Sequence, residues 1–218
     1  MRTYNRSFFK KLFLIAIVSA QFSCKKGQTF KFGDQDLFAF GAQDSCHFNR
    51  NNMGVRISWK NSTPVTLLIH RSVPEKFDQD IISAGQRWNS ALGRSILTVR
   101  RDNSLENSPG KDGLNIIYWQ TSWEGSTKEQ ARTSTSVDIS KIIDADIKIN
   151  AQNFAYSLTA AGAIPSQINL ESLMVHEMGH VIGLTHFEED GVMQPQLPAS
   201  KLRLYPSNYE QKEVACEY

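Results

Sequence analysis

Charge of one sign is never concentrated in this chain. Its 24 lysines and arginines face 22 aspartates and glutamates, a formal net charge of +2 spread along 218 residues. A basic face for nucleic acid is therefore not expected, and net charge selects no substrate. Long hydrophobic runs are also wanting: the apolar stretch Leu12 to Ala20 is too short to cross a bilayer as a helix. No internal repeat and no heptad pattern is present, which argues against a repeat-built adhesin or a coiled-coil oligomer and leaves a monomer as the expectation. Cysteine is scarce at three, and so is histidine at five, so any metal chemistry has few places to sit. The length suits one domain with a real core.

What is present begins with an address. Arg2, Arg6, Lys10 and Lys11 precede Leu12 to Ala20, the charge-then-apolar order that export machinery reads. Val18-Ser19-Ala20 has the small residues of an ordinary cleavage site, while Phe22-Ser23-Cys24 resembles a bacterial lipoprotein box with Gln21 in place of the usual aliphatic residue. Residues 1–23 are read as a signal peptide, 24–54 as an N-terminal tether or wrap, and 55–218 as one folded domain. Lipidation at Cys24 would leave Cys46 and Cys216, an even pair expected to form a disulfide in an oxidising compartment. The expected location is the cell envelope (outer membrane or surface) if lipidated, and periplasmic or extracellular otherwise. A lipid would be the protein's one link to a membrane.

The pattern sharpens from Val65, where Val65 to His70 reads as a strand and Pro74 opens a helix through Ile81, Trp88 and Leu92 that ends near Gly93. Ser95 to Arg100 and Leu114 to Trp119 read as two more strands. Thr121 to Ser136, rich in serine and threonine, reads as a surface loop. Ala145 to Asn150 alternates apolar and polar residues like a half-exposed strand, a candidate sheet edge. Ser166 to Leu184 reads as a helix, and Ser207 with Glu210 as the capping box of a last helix ending near Cys216. The expected class is α+β.

The chemistry is concentrated in His176-Glu177-Met178-Gly179-His180-Val181-Ile182-Gly183-Leu184-Thr185-His186. Histidines at i and i+4 share one helix face and can reach one metal, while Glu177 can reach a water bound to it. A helix running on past His180 would carry His186 away, but Gly183 can take a positive φ and turn the chain so that His186 returns as third ligand. Three imidazoles with a position left for water is the open arrangement of catalytic zinc, and no cysteine stands near to close it. Zinc would bring that water's pKa toward about 7, so Glu177 could act as general base in peptide hydrolysis. The competing reading is a non-catalytic zinc-binding envelope lipoprotein. Glu177 separates the two, since a scavenger needs ligands and no base.

This segment resembles the long zinc signature of the metzincin metallopeptidases, and Gly191-Val192-Met193-Gln194-Pro195 is similar to their Met-turn; the nearest likeness is to the matrixins. The resemblance covers Val55 to Tyr218 and includes Trp88 on the first helix and Ala145-Asp146-Ile147 before the active helix. It implies a zinc endopeptidase of zincin-like fold: a twisted mixed sheet, a long backing helix, an active-site helix and a small C-terminal part. It implies Met193 as an apolar floor under the histidines and an extended protein or peptide substrate along an edge strand at Asp146, Ile147 and Lys148. Phe187 stands where matrixins often have serine, and Gln194 replaces the aromatic common after the Met-turn methionine, which leaves Pro195 to Tyr205 as the expected pocket wall. Only His47 and His70 remain outside the motif, so a second structural zinc is not expected; calcium held by loop carboxylates leaves no readable motif. Matrixin latency implies a thiolate on the zinc, yet Asp44-Ser45-Cys46-His47-Phe48 does not resemble that family's switch, and the Cys46–Cys216 disulfide is the expectation.

Overall fold

The structure, a computed structural model, describes residues 46–218; the export segment, Cys24 and the tether as far as residue 45 lie outside the described residues. Strand β1 is Val65–His70. Its period-two alternation sends Leu67 and Ile69 into the main core and Leu68 to a smaller cluster with Leu105, Ile116 and Tyr118. A 3-10 turn, Glu75–Phe77, leads into helix α1, Asp78–Leu92, which ends at Gly93 in the left-handed conformation. Ile81, Ala84, Gly85 and Trp88 recur at helical spacing and form its buried face.

Strands β2 (Leu97–Asp102), β3 (Ile116–Gln120), β4 (Ala131–Asp138) and β5 (Lys141–Asn150) complete a five-stranded sheet in the order β2-β1-β3-β5-β4. All neighbours run parallel except β4, which is antiparallel to β5. The two-residue strands β6 (Tyr156–Ser157) and β7 (Ile168–Asn169) precede helix α2, Leu170–Val181, and helix α3, Asn208–Ala215, closes the chain. Helix α1 packs against α2 and β2.

Four expectations need correction. Strands β2 and β3 each begin two residues later than expected, at Leu97 and Ile116. The last six residues of the expected loop from Thr121 to Ser136 belong to strand β4. As an edge strand it carries Thr133, Ser134 and Thr135 and no run of apolar residues, so a search for hydrophobic alternation passes over it. Strand β5 is interior, flanked by β3 and β4, so Asp146, Ile147 and Lys148 cannot offer a free edge to a peptide. Its two aspartates do not face water either. Asp146 accepts from the N–H groups of Gly110 and Ile116 at 2.8 and 3.0 Å, and Asp144 from those of Asp112 and Gly113 at 3.0 and 2.8 Å. Helix α2 starts at Leu170 and not at Ser166, because the Asn169 side chain caps it by accepting from Ser172 N at 2.9 Å.

Nearly every residue of α2 is buried, so its place is set from all sides. The Trp88 indole donates to Val175 O at 2.8 Å and the Trp59 indole to Val181 O at 2.8 Å. Tyr218 OH donates to Ile182 O just past the helix end at 2.8 Å. Gly179 lets Met193 lie directly against the helix. A Cβ there would collide with Met193 Sδ and come within 3.1 Å of Trp88 Cζ2.

The first described residues form a strap along the turn after α2. Asn49 N donates to Gly183 O at 2.9 Å and Thr185 N to His47 O at 2.8 Å, while Phe48 pairs with Leu184. A disulfide joins Cys46 to Cys216, closing a separation of 170 residues. The long loop makes this link stabilising mainly by restricting the unfolded chain. Its reduction is expected to lower the unfolding free energy by about 2–4 kcal/mol, read from denaturant melts with and without reductant. An unchanged midpoint would mean that the strap's hydrogen bonds hold it alone. Gly179→Ala is expected to cost about 1–3 kcal/mol through overpacking against Met193 and Trp88, and a variant as stable as the wild type would refute the close approach.

Candidate metal centre

Helix spacing and one reversal bring three imidazoles together. His176 and His180 lie one turn apart on α2. The chain then turns at Gly183, φ 103°, where a Cβ would stand 2.6 Å from Ile57 O, so this backbone and this space both require glycine. Leu184 N closes the turn on Gly179 O at 3.0 Å. His186 follows with its Nε2 3.1 Å from His180 Nε2, and His176 Nε2 lies 3.2 Å from that same atom.

Those separations test the fit to a metal. Zinc–imidazole bonds of about 2.0–2.1 Å in tetrahedral geometry set neighbouring nitrogens roughly 3.3–3.4 Å apart, close to the two separations from His180 Nε2. The opposite ring nitrogens settle the tautomer. His176 Nδ1 lies 2.7 Å from Val192 O and His180 Nδ1 2.9 Å from Leu184 O. A carbonyl can only accept, so both Nδ1 atoms donate and both Nε2 lone pairs face the centre. Burial, then the neighbouring His180, lowers the His176 pKa to about 3, and the same two causes lower that of His186. Both rings are thereby kept in the neutral form that a metal needs. The residues present fit zinc.

Glu177 is buried at 5% exposure beside this cluster. Burial raises its pKa, opposed by the nearby His180 and by a hydrogen bond from Thr133 Oγ1, which donates to Glu177 Oε2 at 2.6 Å. A cavity of about 580 Å³ opens onto all four groups. Lys128 to Thr133 line one side and Gln194 to Pro198 the other, with Leu173 between. Gln130 Nε2 donates to Leu197 O at 2.8 Å, linking the two walls. The expected wall from Pro195 to Tyr205 is therefore shorter: Tyr205 lies away from the cavity, its ring under the Arg87 guanidinium.

Met193 is fully buried beneath α2, its N–H donating to Glu210 Oε1 at 2.6 Å and its carbonyl accepting from Phe187 N at 3.1 Å. Of the expected substrate residues, Asp146 and Ile147 are buried within the sheet and none lines the cavity; burial lifts the Asp146 carboxyl to about 6. Strand β4 takes that place. Sequence reasoning missed Thr133, whose one outward signal is β-branched threonines alternating at 133 and 135, and it missed the Val192 and Leu184 carbonyls, which no side-chain pattern encodes.

No curated protein matches the chain. Residues 58–211, from the turn before β1 into α3, match the matrixin family. That span is well over half of the sequence and holds the three histidines, Glu177 and Met193, and the chain belongs to the matrixins, a family of zinc metallopeptidases.

Proposed function

We propose that the protein is an exported zinc endopeptidase that cuts extended protein or peptide segments, with His176, His180 and His186 as metal ligands and Glu177 as the general base. The observation that carries this reading is the convergence of three Nε2 atoms beside a buried carboxylate in one open cavity. Zinc held by the histidines supplies a Lewis acid that polarises a carbonyl and makes water nucleophilic near neutral pH.

The chain's own residues supply the rest. The side of β4 away from β5 has no strand partner among the described residues, and Ala131 to Thr133 border the cavity. A peptide laid along it would bond through its main chain, leaving selectivity to the side chains of the cavity. Glu177 accepts the proton of the attacking water and delivers it to the departing amine nitrogen. Its burial suits both steps, since a carboxylate of raised pKa holds a proton more readily than a solvated one. Val192 O and Leu184 O keep the imidazoles in the tautomer that presents Nε2. Met193, packed against Gly179, keeps the underside of α2 apolar. Export is supported by the basic and then apolar N-terminus and by a disulfide that persists under oxidising conditions.

Glu177→Gln is expected to lower kcat on a quenched peptide library by about 10²–10⁴-fold while the protein still binds one zinc. A wild type that binds zinc yet cuts nothing across the library would replace this reading with a non-catalytic zinc module. Zinc content after dialysis at stepped pH gives a second check. Because the folded His176 pKa is depressed to about 3, protonation competes with the metal only well below the free-imidazole range, and zinc is expected to be retained at pH 5.5. Loss of zinc in step with a free imidazole, near pH 6.5, would contradict the buried, neutral site.

A further inference from the structure

We propose that Thr133 is a positioning residue for the general base: its hydroxyl fixes one oxygen of the Glu177 carboxylate and so sets the direction in which the base faces the reacting groups. This rests on Glu177 acting as base, as proposed above. Thr133 Oγ1 lies 2.6 Å from Glu177 Oε2 and 3.2 Å from Glu177 O, so a single side chain on β4 grips both the carboxylate and the main chain of the same residue. A hydroxyl has one proton to give, and the shorter contact takes it. Among the described residues only Thr133 donates to this carboxylate, its main-chain N–H adding to the hydroxyl in favouring the charged form. Arg132, beside Thr133 on the strand, is held by Glu129 through Nε and Nη2.

The arrangement has a physical purpose. A glutamate side chain has three rotatable bonds, and ordering it costs conformational entropy. A donor already in place orders it before substrate arrives, which is preorganisation of a reacting group. Thr133 is also well placed to do this without strain, because β4 registers it opposite Ile147 of the fully paired β5. The contact joins the edge on which a peptide would lie to the helix that carries the base, so one residue relates substrate register to proton transfer. Thr133 need not touch the reacting atoms to have this effect.

The test compares zinc-loaded wild type, Thr133→Val, Thr133→Ser and Glu177→Gln on a quenched peptide. Valine keeps the shape and removes the hydroxyl; serine keeps the hydroxyl and removes the methyl. Thr133→Val is expected to lose about 10–100-fold in kcat, the scale of a hydrogen bond to a charged group, with KM changed less than about threefold and Thr133→Ser close to wild type. A Val variant with normal kcat, a Ser variant as impaired as Val, or a loss confined to KM would each overturn the proposal. Crystal structures of zinc-loaded wild type and Thr133→Val decide the geometry apart from turnover: the carboxylate is expected to leave its place in the variant, and an unmoved carboxylate would refute the role. An inactive wild type would overturn the peptidase reading, while these two structures would still decide whether Thr133 places Glu177.

Discussion

The Nε2 atoms of His176 and His186 are held 3.2 and 3.1 Å from that of His180, where ring nitrogens that present lone pairs repel unless a cation shares those electrons, and much of the structure serves to hold them there. Such a centre cannot be made by the helix alone. The i and i+4 spacing supplies two rings, but the third arrives only because Gly183 reverses the chain where a side chain would strike the Ile57 carbonyl. That reversal is secured from outside by the strap at residues 47–49, whose main chain bonds to Gly183 and Thr185 on either side of Leu184. The metal centre is thus local in sequence and long-range in support. Its three histidines span eleven positions of the motif, while the strap comes from the far N-terminal end of the described chain.

Strand β4 ties the site to the path proposed for its substrate. It borders the cavity with residues 131–133, sends Thr133 to the Glu177 carboxylate, and presents an edge without a strand partner among the described residues. An edge strand is ordinarily a hazard, because free N–H and C=O groups invite another chain. Here the invitation is confined to a cleft. Polar residues line the strand, and the Gln130 to Leu197 hydrogen bond holds the opposite wall beside it. The feature that hides β4 from a hydrophobicity pattern is the same one that suits it to transient pairing.

Legibility from sequence followed the range of the interaction that fixes each feature. The HExxH spacing, the glycine turn, the Ser207 to Glu210 box and strand β1 are set by neighbours within a few residues, and each was readable. The family likeness followed from the same short segment. Strand β5 was readable as a strand but misplaced, because Asp144 and Asp146 produce the alternation of a solvated edge while binding loop N–H groups in the interior. A polar residue that faces water and one that faces a buried amide look alike in a one-dimensional pattern. Helix α2 began later than expected for a related reason: Asn169 competes for the helix start through its own side chain, which hydrophobic periodicity does not record.

The C-terminal part shows how a region too small for its own core can still be exact in position. After Gly183 it contributes few buried apolar groups, and its geometry rests on buried carboxylates. Glu210, 1% exposed, receives the N–H groups of Met193 and Ser207, so the cap of α3 and the turn beneath the histidines share one side chain. Glu213, one turn on, receives His47 N at 2.6 Å from the strap. A carboxylate in such a place is costly unless its acceptor sites are filled, and here main-chain donors fill them. Because each acid joins two separate segments, Met193, α3 and the strap form one linked unit against α2. The disulfide at Cys216 then closes that unit covalently at the end of α3, the point where helical hydrogen bonding stops and fraying would otherwise begin.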